Sequence, residues 1–143
     1  MRPVVWKGWI IDYEDALAFL RGEKNWDSTK RREVRFLVDT GALRTIIPSW
    51  LLEGLKPLYL KEVSVQGVCD KPSRFMLVHL GIAISIDGKP LVSIHGVLIP
   101  LEEDVEKSVA RALEPYNVDA ILGLISMDEL HITIDEKTQK IVA

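Results

Sequence analysis

A chain of 143 residues that is 48% hydrophobic and 27% charged has room for one compact domain with a buried core and none for two catalytic lobes. Its single cysteine, Cys69, excludes an intrachain disulfide framework and any multi-cysteine zinc site, and with no secretory signal at Met1 it predicts a reducing, cytoplasmic setting. A net charge of −3 offers no bulk attraction to nucleic acid or to an anionic membrane, and no apolar run approaches the ~20 residues of a spanning helix, so neither partner is expected.

The run Val4 to Ile11 is β-branched and aromatic and predicts a strand. Asp12 then caps a short helix whose apolar positions Ala16, Leu17, Phe19 and Leu20 end at Gly22. Residues 22–33 are dense in charge and read as an exposed loop, with Lys30-Arg31-Arg32 as part of its solvated surface. Trp6, Trp9 and Trp26 read as core or edge packing rather than a ligand cage. Val34 to Val38 predicts a buried strand, Thr45-Ile46-Ile47 a short one stopped by Pro48, and Ser49 to Gly54 a helical turn with a Ser cap and a Gly stop. Two extended runs, Tyr59–Val68 and Phe75–Ile86, flank the polar, Pro-containing segment 69–73, which marks a hairpin end. Asp87-Gly88 is a two-residue turn leading into Leu91–Ile99.

Beyond Pro100, Val105, Val109 and Leu113 recur at helical spacing behind the acidic turn Glu102-Glu103-Asp104, predicting an amphipathic helix that ends before Pro115. The acidic residues suit a helix N-terminus and need no metal to explain them. Ala120-Ile121-Leu122 is another buried strand, Ser126–Leu130 a short helix, and Ile132 and Ile134 lead through a turn at 135–138 to a closing strand, Gln139–Val142. Many short strands with two or three small helices predict a mostly β, barrel-like single domain over residues 1–143.

One tetrapeptide carries chemistry. Asp39-Thr40-Gly41-Ala42 follows the apolar strand Phe36-Leu37-Val38 and precedes Thr45-Ile46-Ile47-Pro48. A carboxylate at the end of a buried strand is costly unless hydrogen-bonded; Thr40 offers a hydroxyl to lock the turn, and Gly41 lets backbone N–H groups approach the acid. The other candidates are weaker. His79, His95 and His131 share no metal-ligand spacing, and Cys69 has no neighbouring base to activate it, so no metal and no cofactor is expected.

With its flanks, the segment resembles the active-site loop of the retropepsin-like aspartic proteases, in which an apolar pair precedes Asp-Thr/Ser-Gly-Ala and a Thr and apolar pair follow. A second signature of that family, apolar residues and a Gly that packs beneath the active-site loop, is matched by Ala120-Ile121-Leu122-Gly123-Leu124, about 80 residues further on. Between them, Val63 to Val68 and Arg74 to Leu77 stand where the family has its flap hairpin. The resemblance runs from Val34 to Val142. It departs from the family in the long lead-in over residues 1–33, in the inserted helix near 102–113, and at Leu43 and Leu124, where viral members carry an acid and an Arg that pair with each other.

The resemblance implies an acid-protease barrel with a flap and an aspartic endopeptidase activity on peptides or proteins. Asp39 would be the catalytic acid, Thr40 and Gly41 its loop support, and Ala42, Val65, Gln66, Gly67, Val68, Ile121 and Leu122 the substrate-binding residues. Only one Asp-Thr-Gly is present, so the second carboxylate would come from a second copy in a homodimer. The alternative is a dimeric peptide-binding or assembly module of the same fold without catalysis.

Overall fold

The architecture comes from a computed structural model, which describes residues 4–39, 41–66, 72–135 and 140–142. The elements in chain order are β1 (Val4–Ile11), α1 (Tyr13–Leu20), β2 (Arg31–Val38), β3 (Thr45–Ile46), β4 (Leu58–Val65), β5 (Ser73–Ile86), β6 (Lys89–Pro100), α2 (Glu103–Leu113), β7 (Ala120–Leu122), α3 (Leu124–Glu129), β8 (Thr133–Asp135) and β9 (Lys140–Val142). Single 3-10 turns occupy Trp26–Ser28, Ser49–Leu52 and Glu114–Tyr116. The chain is thus mostly β with three short helices, as its pattern of strands and turns predicts.

Six strands close into a barrel. The order β1-β2-β7-β3-β6-β5 returns to β1, because the C-terminal half of β5 pairs with β1 (Gly8↔Ile84 to Ile11↔Gly81) while its N-terminal half pairs with β4. β4 lies outside the closed ring and pairs with β5 alone, so it presents a free sheet edge, and β8 and β9 form a separate two-stranded sheet. β5 and β6 form one long antiparallel hairpin that turns at Asp87-Gly88, both residues at positive φ, the backbone a two-residue turn requires. The two short strands β3 and β7 make the non-local joints. β2 runs parallel to β7 (Phe36↔Ala120, Val38↔Leu122), β3 runs parallel to β6 (Thr45↔Val97), and Ile46 meets Ile121 antiparallel.

Strand alternation then sorts the side chains. Val34, Phe36 and Val38 of β2, Val78, Leu80, Ile82 and Ile84 of β5, Val97 and Ile99 of β6 and Leu122 of β7 fill the barrel, joined by Met127 of α3. Each large side chain buried there contributes roughly 1.5–3 kcal/mol before the entropy of ordering it. Leu37 points outward but is covered by Val109 and Leu113 of α2, which is why Phe36-Leu37-Val38 reads as an unbroken apolar run. On another outer face α1 packs Ala16 against Ile11, Ala83 and Val92, with Trp9, Phe19 and Trp26 around them. Trp26 meets the edges of both Trp9 and Phe19 at centroid distances of 5.3 and 5.8 Å, so it is a packing residue.

Some local expectations are corrected. Arg31 and Arg32 belong to β2 and not to a solvated loop, because they pair in register with Ile11 and Ile10. The guanidinium of Arg31 lies 4.5 Å over the Trp26 ring, and that of Arg32 donates to the Glu53 carbonyl at 2.9 Å. Ser49 opens a 3-10 turn without capping it; its N–H instead donates to Glu106 Oε1 at 2.8 Å and its hydroxyl bonds the same oxygen, which moors α2 to this turn. The short helix begins at Leu124, two positions before the Ser126 expected from sequence.

Candidate active site

The end of β2 is built so that its last apolar residue is anchored and its next residue is presented. Asp39 N–H donates to the Leu122 carbonyl at 3.0 Å, which continues the β2–β7 ladder by one bond. The chain then turns, with Ala42 N–H donating to the Asp39 carbonyl at 3.1 Å and Gly41 N–H to Asp39 Oδ1 at 2.9 Å. That second bond gives the half-buried carboxylate one fixed donor. A Cβ on Gly41 would stand 3.2 Å from the same oxygen, so the glycine keeps this approach open.

A second layer of bonds locks the turn to the segment after β7. Leu124 N–H donates to the Ala42 carbonyl at 2.8 Å and Ile125 N–H to the Leu43 carbonyl at 2.9 Å. Fully buried Thr45 accepts Gly123 N–H on Oγ1 at 3.0 Å and is hydrogen-bonded, hydroxyl to hydroxyl, to Ser126 Oγ at 2.5 Å. Gly123 is required by close approach: a Cβ there would lie 2.4 Å from the carbonyl carbon of Arg44 and 2.8 Å from Thr45 N. Two loops distant in sequence therefore form one rigid support.

Asp39 opens onto a cavity of about 620 Å³. The loop after β2 contributes Asp39, Gly41, Ala42, Leu43 and Arg44, and Ile46, Leu98 and Ile121 come from the β3, β6 and β7 strands. Val65 and Gln66, at the end of β4, line another side, and Ser108, Val109 and Ala112 of α2 complete the lining. Most of this surface is aliphatic, and among the described residues Asp39 and Arg44 are its charged members.

Of the residues singled out in the sequence, the cavity brings together Asp39, Gly41, Ala42, Val65, Gln66 and Ile121. Leu122 differs: alternation along β7 turns Ala120 and Leu122 into the barrel, where Leu122 has no exposed surface, and leaves Ile121 on the cavity side. Thr40, Gly67, Val68 and Cys69 lie outside the described residues. Leu43 and Leu124, on the two loops that support each other, are 64% and 37% exposed.

Residues that sequence reasoning missed are Arg44, the α2 side chains, and the Thr45–Ser126 pair behind the loop. The periodicity of α2 marks Val105, Val109 and Leu113 as its inner face, but nothing local says that this face meets the Asp39 loop. Among the described residues no group of three or more His, Cys, Asp or Glu side chains is placed to hold a metal ion, and no helix is long and apolar enough to cross a membrane.

No protein-family model matches the chain, and no curated protein matches it in sequence. Among solved structures it is similar to the retroviral protease-like domain of Ddi1 from Leishmania major, with 12% identity and a TM-score of 0.47 over 99% of this chain and 89% of that one. It is also similar to the EIAV protease in complex with the inhibitor HBY-793, with 14% identity and a TM-score of 0.38 over 72% of this chain and 82% of that one.

Proposed function

We propose that this chain is an aspartic peptidase of the retropepsin-like kind, active as a homodimer in which each subunit supplies one Asp39. The observation that carries the reading is the setting of Asp39: a carboxylate at the end of a buried strand, tied to its own loop by Gly41 N–H, facing an aliphatic cavity wide enough for peptide side chains. A buried acid that served only to close its loop would have no need of that cavity.

In such a dimer two Asp39 carboxylates share one proton. The ionised one takes a proton from water as the oxygen attacks the scissile carbonyl, and the protonated one gives its proton to the carbonyl oxygen. The tetrahedral diol then collapses, a proton passes to the departing nitrogen, and the dyad returns to its singly protonated state. Thr40, from its place in the motif, braces the two loops against each other. The substrate lies extended beneath the β4–β5 hairpin, bonded through its main chain, with side chains in cavities lined by Ala42, Val65, Gln66 and Ile121.

Asp39→Asn tests this directly. Activity against a peptide library should fall about 10³-fold or more, while the circular dichroism spectrum and unfolding midpoint stay close to wild type. Full activity in that variant refutes the assignment. A stable dimer that binds peptides and cleaves none between about pH 3 and 8 would favour the non-catalytic peptide-binding module.

A further inference from the structure

Among the described residues the cavity holds one cation, and no carboxylate there pairs with it directly. Arg44 is half-buried, and among the described residues its guanidinium makes no hydrogen bond and no ion pair within 4 Å, with Asp39 or with any other carboxylate. Glu129 feels its charge, but from beyond ion-pair distance. An arginine presents a planar fork of N–H donors, and a half-buried one that is paired with no protein group has that fork free for a planar acceptor such as a carboxylate.

Its position is fixed from behind. The Arg44 backbone is clamped by Gly123, whose Cα packs onto the Arg44 carbonyl, and by the Thr45 bonds to Gly123 and Ser126. Its head lies over Gly96 of β6, where a Cβ would come within 3.0 Å of Nη1. The backbone is therefore held while the fork makes no bond of its own, and Arg44 lines the same cavity as Asp39.

We infer that Arg44 is a specificity-determining residue that selects peptides carrying a carboxylate side chain, Asp or Glu, close to the apolar residue seated in the cavity. The inference rests on reading the cavity as a peptide cleft. A carboxylate here can take two parallel charge-assisted bonds from the fork, whereas a substrate Lys or Arg meets a like charge. The uncharged amides Gln and Asn can satisfy one donor but leave the charge.

The test uses peptide pools matched in every respect except Glu or Gln at one position, read two ways: cleavage by the wild-type protein, and fluorescence anisotropy of labelled pools with the uncleaving Asp39→Asn protein. Glu peptides should be preferred about 10-fold or more over their Gln partners in both readings. Arg44→Gln should reduce that ratio to near one with an unchanged unfolding midpoint, Arg44→Lys should retain part of it, and Arg44→Glu should invert it, with Gln peptides preferred over their Glu partners. Cleavage without any Glu-over-Gln preference overturns this inference and leaves the peptidase reading standing. A Glu preference in binding that Arg44→Gln removes, in a protein that cleaves nothing, supports the inference and overturns the peptidase reading. An equal Glu preference in wild type and Arg44→Gln overturns the role of Arg44.

Discussion

His95 has no exposed surface and sits on the core face of β6, with Nε2 2.6 Å from Ser93 Oγ and Nδ1 2.8 Å from Glu129 Oε2. The chain of atoms has the order of a hydrolytic triad, but the contact to Glu129 is poorly aligned as a hydrogen bond, which leaves Nδ1 without a true partner. Burial dominates instead and holds the ring neutral, its pKa lowered to about 4. Since the unfolded chain takes up this proton near the ordinary value of 6.5 and the folded one only near 4, stability is lost as pH falls across that window. The full contribution is on the order of 3 kcal/mol. Glu129 works the other way, because burial raises its pKa against the pull of Arg44 and His79, so protonating it on acidification relieves part of the loss. Urea midpoints measured from about pH 7 to pH 4 should fall in wild type and fall less in His95→Phe; equal slopes would refute the assignment to His95. At this scale the sequence marked Asp39, Gly41 and Ala42 through a contiguous motif. It could not mark His95 or Arg44, whose roles come from neighbours distant in sequence.

The elements themselves were readable because burial alternates along them: β1 begins and ends where its apolar run does, and α2 ends before Pro115 as its periodicity requires. Their pairing was less so. A three-residue strand such as β7 carries no register information, and its parallel partner β2 is chosen by the barrel as a whole. Gly123→Ala should show how tightly that joint is packed: a methyl group forced against the Arg44 and Thr45 backbone costs about 3 kcal/mol or more, read as a lower unfolding midpoint. Thr45→Val should cost about 1–3 kcal/mol by leaving Gly123 N–H buried without its acceptor. β4 is the opposite case. It is paired on one side only, and every residue from Leu58 to Glu62 is exposed, so its amides should exchange with solvent faster than those of β6. A transition-state-like peptide inhibitor should slow them; exchange as slow as in β6, and indifferent to inhibitor, would refute a flap role for this hairpin.

For the whole molecule, one Asp-Thr-Gly per chain means that the proposed catalysis would be a property of a pair of chains. Specific activity should therefore drop on dilution below the dimer dissociation constant, with a monomer appearing in sedimentation. An excess of Asp39→Asn chains should poison wild type through mixed dimers once subunits exchange. A strictly monomeric protein that still cleaves peptides would refute the shared site. The expectation of a partner comes from counting motifs in the sequence, which says nothing of the surface that would meet it, because surfaces depend on how loops are set on the barrel.

The joint between β2 and β7 also orders events in time. Arg35 N–H bonds to Asp119 Oδ2 across 84 positions of chain, and Asp39 N–H needs the Leu122 carbonyl just beyond. At roughly 5–20 residues per second, β2 leaves the ribosome several seconds before its neighbour exists. Through that interval the long β5–β6 hairpin can form from local contacts, while the loop bearing Asp39 has neither Gly123 behind it nor Ile121 beside it. The nascent chain thus carries its acid on an unclosed barrel, and whatever Asp39 does is withheld until residues 119–123 have been made.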